Sequence, residues 1–169
     1  MEFKSLKEVI NYLYKINENN PDRYYGEYKT DMLQYNIEEG SVSLEWYEAI
    51  LEKVKKYNPK RVVDIGSNLN MFGYLFANDG IEYIGIEVSK EALPVETDKI
   101  KFIHDNYYNV REQFKDDIII SCLCVGYLIP VKDVLGKALI VNHGYGTNEN
   151  YKCTAIEIDI GGNKWTIKV

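Results

Sequence analysis

Five residues of a 169-residue chain have types and spacing suited to holding a polar ligand: Asp64, Gly66, Asn68, Asn70 and Glu87. Gly66, Asn68 and Asn70 occupy alternate positions. Glycine first and asparagine second are the residues that tolerate positive φ. A backbone built from them bends sharply, and a ligand can approach it closely. Glu87 follows Gly66 by 21 residues. At that spacing an acidic side chain at the tip of the next strand can accept hydrogen bonds from a ribose.

The elements that must position these residues can be read around them. In RVVDIGSNLNMFGYLFANDGIEYIGIEV, from Arg61 to Val88, an apolar run (Val62, Val63, Ile65) ends at Gly66 and a short polar turn. Met71, Phe72, Leu75 and Phe76 follow at helical spacing, Asn78-Asp79-Gly80 breaks the pattern, and Tyr83, Ile84 and Ile86 lead to Glu87. Strand, turn, helix, turn and strand in under thirty residues make a βαβ unit with two parallel neighbours and a right-handed crossover.

DIGSNLNMFG followed by IGIEVSKEAL resembles motif I and the acidic post-motif of class I S-adenosylmethionine-dependent methyltransferases. Their usual form is an acid followed by G-x-G-x-G. Some members carry Asn at the second glycine, as at Asn68, and Asn70 at the third is a rarer departure. The resemblance runs from Arg61 to about Gly144, and only its first two motifs are specific. It implies a Rossmann-like methyltransferase fold with S-adenosyl-L-methionine as cofactor. It also implies that Asp64, Gly66, Ser67, Asn68 and Asn70 surround the methionine part and Glu87 holds the ribose. Asp105 and Asn106 would then meet the adenine, with Ser121 and Cys122 near the sulfonium. Tyr25, Tyr28, Tyr127 and His143 are candidates for the acceptor side, and Tyr28, Tyr127 and His143 for catalysis. His143 suits a general base, because imidazole titrates near neutrality, and equally a hydrogen-bonding fixture.

A nicotinamide enzyme is the competing reading, since it also pairs a glycine-rich turn with an acid. Its fingerprint wants G-x-G-x-x-G, whereas this chain offers Gly66, Asn68 and Met71. Asp64 would also be unfavourable beside a pyrophosphate and tolerable beside a cationic sulfonium. The methyl donor is the better match. Two functions remain open: methyl transfer to a small-molecule or protein acceptor, or a methyltransferase-like binding or regulatory protein without turnover.

Net charge is −6 and the isoelectric point is near 5.0, which argues against general attraction to nucleic acid or anionic membrane. DNA and RNA amino-methyltransferases usually show Asp/Asn-Pro-Pro-Tyr where this chain has Ser121-Cys122-Leu123-Cys124, a further argument against a nucleobase acceptor. No stretch reaches 18 apolar residues, and MEFKSLKEVI lacks a signal-peptide core, so neither a span nor a leader is expected. Three cysteines suit a reducing cytoplasm. Cys122 and Cys124 alternate onto one face of an expected strand. With Cys153 or His143 they imitate a zinc set, but they read as small core residues and no metal is expected.

The length suits one domain, with a helical cap over residues 1–57 and a Rossmann-like core over 61–169. Ser5-Leu-Lys-Glu8 is a capping-box pattern for a first helix through Ile16. Asp22 to Gly40, rich in tyrosine and carboxylates, shows no clean period and reads as an irregular cap. Ser43 is expected to start a second helix that Asn58-Pro59 ends. Ser89 is expected to cap a short helix limited by Pro94, and Lys101 to His104 to form a third strand. Val110 to Phe114 allows a turn or two of helix, and Asp117 to Val125 reads as a strand buried on both faces. Ala138 to Val141 is a fifth strand, followed by a loop from Asn142 to Gly146. Thr154 to Ile160, the Gly161-Gly162-Asn163 turn and Lys164 to Val169 suggest an antiparallel hairpin with one wet face. The whole reads as an α/β, doubly wound, mostly parallel sheet with N-terminal helices and that C-terminal hairpin.

Overall fold

The computed structural model describes residues 1–20, 24–25, 30–89, 92–143 and 154–160. Helix α1 (Leu6–Ile16) starts where expected: the Ser5 hydroxyl accepts from the Glu8 amide at 3.3 Å, and Val9 and Leu13 are buried. Two-residue strands β1 (Tyr24–Tyr25) and β2 (Thr30–Asp31) pair antiparallel, and helix α2 (Met32–Lys55) follows directly.

Helix α2 corrects the reading of the Tyr-rich segment. It starts eleven residues before Ser43, which lies inside it. Leu33 and Ile37, four residues apart, are both buried and continue the stripe of Tyr47, Ile50, Leu51 and Val54. Glu38-Glu39-Gly40 looks like a stop signal, but glycine inside a helix costs only about 1 kcal/mol, less than burial of such a stripe contributes. The far end stops as expected, with Asn58 at φ +45° before Pro59.

The sheet contains β3 (Arg61–Ile65), β4 (Glu82–Glu87), β5 (Ile100–His104), β6 (Ile118–Ser121), β7 (Ala138–His143) and β8 (Thr154–Ile158). Their order is β5-β4-β3-β6-β7-β8, parallel throughout except for β8 against β7. Helix α3 (Gly73–Asn78) makes the crossover from β3 to β4. Period-2 alternation sends the strand side chains to two faces. Val62, Tyr83, Ile118, Ile120 and Ile140 pack under α1, α2 and α3. Val63, Ile65, Ile84, Ile86, Ile119 and Leu139 face the other side. That second side is covered thinly, by α4 (Tyr107–Val110), the 3₁₀ turns Arg111–Phe114 and Val131–Asp133, and their connections.

Further expectations change. Among the described residues between Val88 and Lys99 no helix forms, and the two residues after Ser89 lie outside them. That backbone bonds outward instead: the Val95 amide donates to Leu69 O, and the Leu93 amide donates to Asn17 Oδ1. Strand β6 ends at Ser121, well short of Val125, because Leu123 adopts φ +67°. The same twist separates the two cysteines: Cys122 packs against the helix-covered cluster and Cys124 against the opposite one. Finally, β8 is not wet on one face. Ile158 is buried against one cluster, while Ala155 is buried and Glu157 accepts a hydrogen bond from the Tyr57 hydroxyl on the other. Asn142 and His143 extend β7, while Gly144 to Gly146 and Lys164 to Val169 lie outside the described residues.

Candidate functional site

All five parallel strands point their carboxyl ends to one edge. Chain order reverses there between β3, whose successor lies on one side, and β6 on the other. Ligands of open α/β sheets bind at such a switch point, because the diverging loops leave a crevice. A cavity of about 510 Å³ opens at this edge.

The turn after β3 makes its floor. Gly66, Asn68 and Asn70 have φ of +76°, +53° and +57°, the region their types predicted. A Cβ on Gly66 would sit 2.6 Å from Cys124 Cβ, so only glycine lets the turn pass beneath the loop after β6. Gly66 and Ser67 both donate to Ile86 O, which ties the turn to β4.

Glu87 stands on the wall, fixed by backbone. Its Oε2 accepts from the Asn68 amide at 3.1 Å, and its Oε1 accepts from the Val88 and Ser89 amides at 2.8 and 3.0 Å. Asp105 and Asn106, at the end of β5, also line the cavity. Asp105 Oδ1 accepts from the Asn106 amide and from Asn109 Nδ2, and these bonds hold its carboxyl below the usual range. Asn106 Oδ1 caps α4 through the Tyr108 amide. Cys122 completes the predicted residues on the wall.

Four predicted cofactor residues lie behind the wall. Ser67 is buried, and its Oγ and Asn70 Oδ1 crowd over Gly85, where a Cβ would meet them at 2.4 and 1.9 Å. Asn70 Nδ2 donates to Val95 O and Lys101 O. This side chain pins the turn to the β5 side, and Gly85 supplies the space. Ser121 Oγ donates to Ile65 O and accepts from the Val125 amide, bracing the loop. Asp64 is fully buried. Its Oδ2 accepts hydroxyl hydrogens from Tyr47, at 2.8 Å, and from Tyr83. Burial pushes its carboxyl up to about 7 against the pull of those two bonds, and the charge of Glu87 adds to the rise.

On the acceptor side less is brought together. Tyr127 is exposed and does not line the cavity. Tyr28 lies outside the described residues, as do the side chains of Tyr25 and His143. Sequence reasoning missed Leu123, Cys124, Leu128 and Ile129 on one wall and Tyr107 and Tyr108 on another. Gly126 and Pro130 around a short apolar run are the signal that marks the first group as a tight loop. Cys124 is not a nucleophile in waiting: burial, with Asp64 and Glu87 nearby, pushes its thiol up to about 12. Among the described residues no three His, Cys, Asp or Glu side chains converge as a metal set.

A parallel sheet in this order, with an antiparallel final strand and a left-handed turn facing an acid, is the class I methyltransferase fold. Two solved structures at a TM-score of 0.50 share this fold. The magnesium protoporphyrin IX methyltransferase of Synechocystis PCC 6803, with bound S-adenosylhomocysteine, superposes at a TM-score of 0.50 and 16% identity, covering 84% of this chain and 73% of its own. The plantazolicin methyltransferase BpumL, in complex with a desmethylplantazolicin analogue and S-adenosylhomocysteine, gives 0.50 at 18% identity over 81% and 59%. The methyltransferase domain of bacterial CtHen1 gives 0.46 at 15% over 59% and 65%. The chain thus spans less than two thirds of the latter two. No protein-family model matches the sequence. No curated protein matches it either.

Proposed function

We propose that this chain binds S-adenosyl-L-methionine in the cavity at the switch point and transfers its methyl group to a small-molecule or peptide acceptor. The observation that carries the reading is the Glu87 carboxylate, aimed by three backbone amides beside a turn whose Gly66 leaves no room for a Cβ. The volume and the donor set fit the group. Glu87 would take the ribose hydroxyls, Asp105 and Asn106 the adenine edge, and Gly66 and Asn68 the chain beside the methionine part. Bound there, the cofactor supplies an electrophilic sulfonium methyl, which an acceptor lone pair can take as the carbon–sulfur pair returns to sulfur. In-line transfer of this kind needs proximity and orientation above all, so the fixed wall is the protein's contribution.

Calorimetry with S-adenosylmethionine and S-adenosylhomocysteine tests the binding half. Gly66→Val should abolish it in a folded variant, since a β-branched residue resists φ near +76° and would collide with Cys124. Normal binding by that variant would remove the turn from the site.

A second reading, binding without turnover, is favoured by one observation. Among the described residues the wall carries no histidine or lysine, and burial pushes the Cys124 thiol on it up to about 12. Cofactor binding with no methyl transfer to a broad panel of hydroxyl, amine and thiol acceptors would select it.

A further inference from the structure

Asp64 is a carboxyl group with no described cation to balance it. The ionisable groups that interact with it are Tyr47 from α2, Tyr83 and Glu87 from β4, and Cys124 from the segment after β6, while Cys122 of that segment interacts with the two tyrosines. All are acids. Phe72, stacked on Tyr47 at 4.3 Å between ring centroids, closes the helix side. Two hydroxyls donate to Oδ2, while Oδ1 is buried without a hydrogen-bond partner. A buried polar atom left in this state is costly and calls for an explanation. Any proton on the group belongs on Oδ1, because Oδ2 already accepts twice. Asp64 also lies two residues before Gly66, and its field reaches the cavity wall: its charge raises Cys124, and Glu87 raises Asp64.

We propose that Asp64 senses charge in the cavity above it, its ionised carboxylate favouring the cationic methyl donor over the neutral thioether left after transfer. This rests on the reading of the cavity as the S-adenosylmethionine site. When the sulfonium arrives, the Oδ1–H bond breaks, the proton passes to solvent, and an anion in a low-dielectric setting faces a cation. When the methyl leaves, the remaining sulfur is neutral, the attraction is gone, and Asp64 takes a proton back. The buried acid thereby helps product to depart. Burial holds the group near pH 7, so the coupling operates at physiological pH. The two tyrosine hydroxyls set the balance, because each bond to Oδ2 favours the charged form.

Dissociation constants for S-adenosylmethionine and S-adenosylhomocysteine, measured calorimetrically from pH 6 to 8.5 in two buffers of different ionisation enthalpy, test this. The donor should release a larger fraction of a proton than the product near pH 7. The ratio of product to donor dissociation constants should rise about tenfold across that range, the factor that corresponds to a coupling of one pKa unit between carboxylate and sulfonium. Asp64→Asn should flatten the ratio. The ligands' own amino groups titrate in both proteins, so the difference between them isolates Asp64. Tyr83→Phe, with one bond to Oδ2 removed, should move the midpoint to higher pH, and it serves if Asp64→Asn does not fold. Binding with the same pH dependence for both ligands, or a wild-type profile in Asp64→Asn, overturns the inference and leaves the cofactor reading standing. Failure of both ligands to bind overturns the two together.

Discussion

Two acids near the turn show how far residue type predicts role. Glu87 and Asp64 both stand out in the sequence, yet the first lines the cavity and the second is buried and does not line it. Glu87→Ala should weaken S-adenosylmethionine binding by about 1–3 kcal/mol, the usual loss for charge-assisted bonds, as measured by calorimetry. Asp64 predicts a stability profile. Its folded carboxyl is raised from an ordinary 3.8 to about 7, so between those values the native state holds more protons than the unfolded chain. This group's contribution to stability should therefore be fully present at and below about pH 4, fall as pH rises toward 7, and level off above. The difference is a few kcal/mol, about 4 at most from a shift of this size. Denaturant titrations at pH 5 and pH 8 should show the loss in the wild-type protein and not in Asp64→Asn. The unusual Asn70 was legible as a left-handed residue from its type alone. Its bonds to Val95 O and Lys101 O were not, because those carbonyls are 25 and 31 residues away.

Among the elements, those with strong local signals appear where the sequence puts them. β3, α3, β4 and β5 are bounded by Gly66, Gly80 and a short period, and each forms within a residue or two of its expected limits. Helix α2 was misjudged because Gly40, Ser41 and Ser43 interrupt its helix-forming residues and the burial of its first turns depends on tertiary neighbours. Leu33, 1% exposed, belongs to the same core cluster as Tyr47 and Val54. Leu33→Ala should cost about 2–5 kcal/mol in chemical denaturation, as for a residue inside the core. A loss under 0.5 kcal/mol would mean that the first turns of α2 are dispensable. The loop after β6 is the opposite case. Its apolar run reads as more strand, but Leu123 at φ +67° turns it aside, held by the Asn142 Oδ1 that accepts from its amide.

At the scale of the whole molecule, the ligand should act on the fold it completes. The cavity joins loops from four strands, so occupancy stabilises them together. At a hundredfold excess over the dissociation constant, S-adenosylmethionine should add about 2.7 kcal/mol. For a chain of this size that is a rise of roughly 5–10 °C in melting temperature. Scanning calorimetry with and without cofactor reads it directly, and an unchanged melting temperature would speak against the site. The sequence by itself determined the alternation that buries a parallel sheet, the left-handed turn with its glycine and asparagines, and the acid one strand further on. These are properties of residue type and short spacing. Only the tertiary structure decided that Asp64 has two tyrosines and, among the described residues, no cation, that Cys122 and Cys124 face opposite sides, and that Leu123 and Leu128 wall the cavity. Those facts depend on which distant segments meet, and a contact between residues far apart in sequence leaves no period or motif behind.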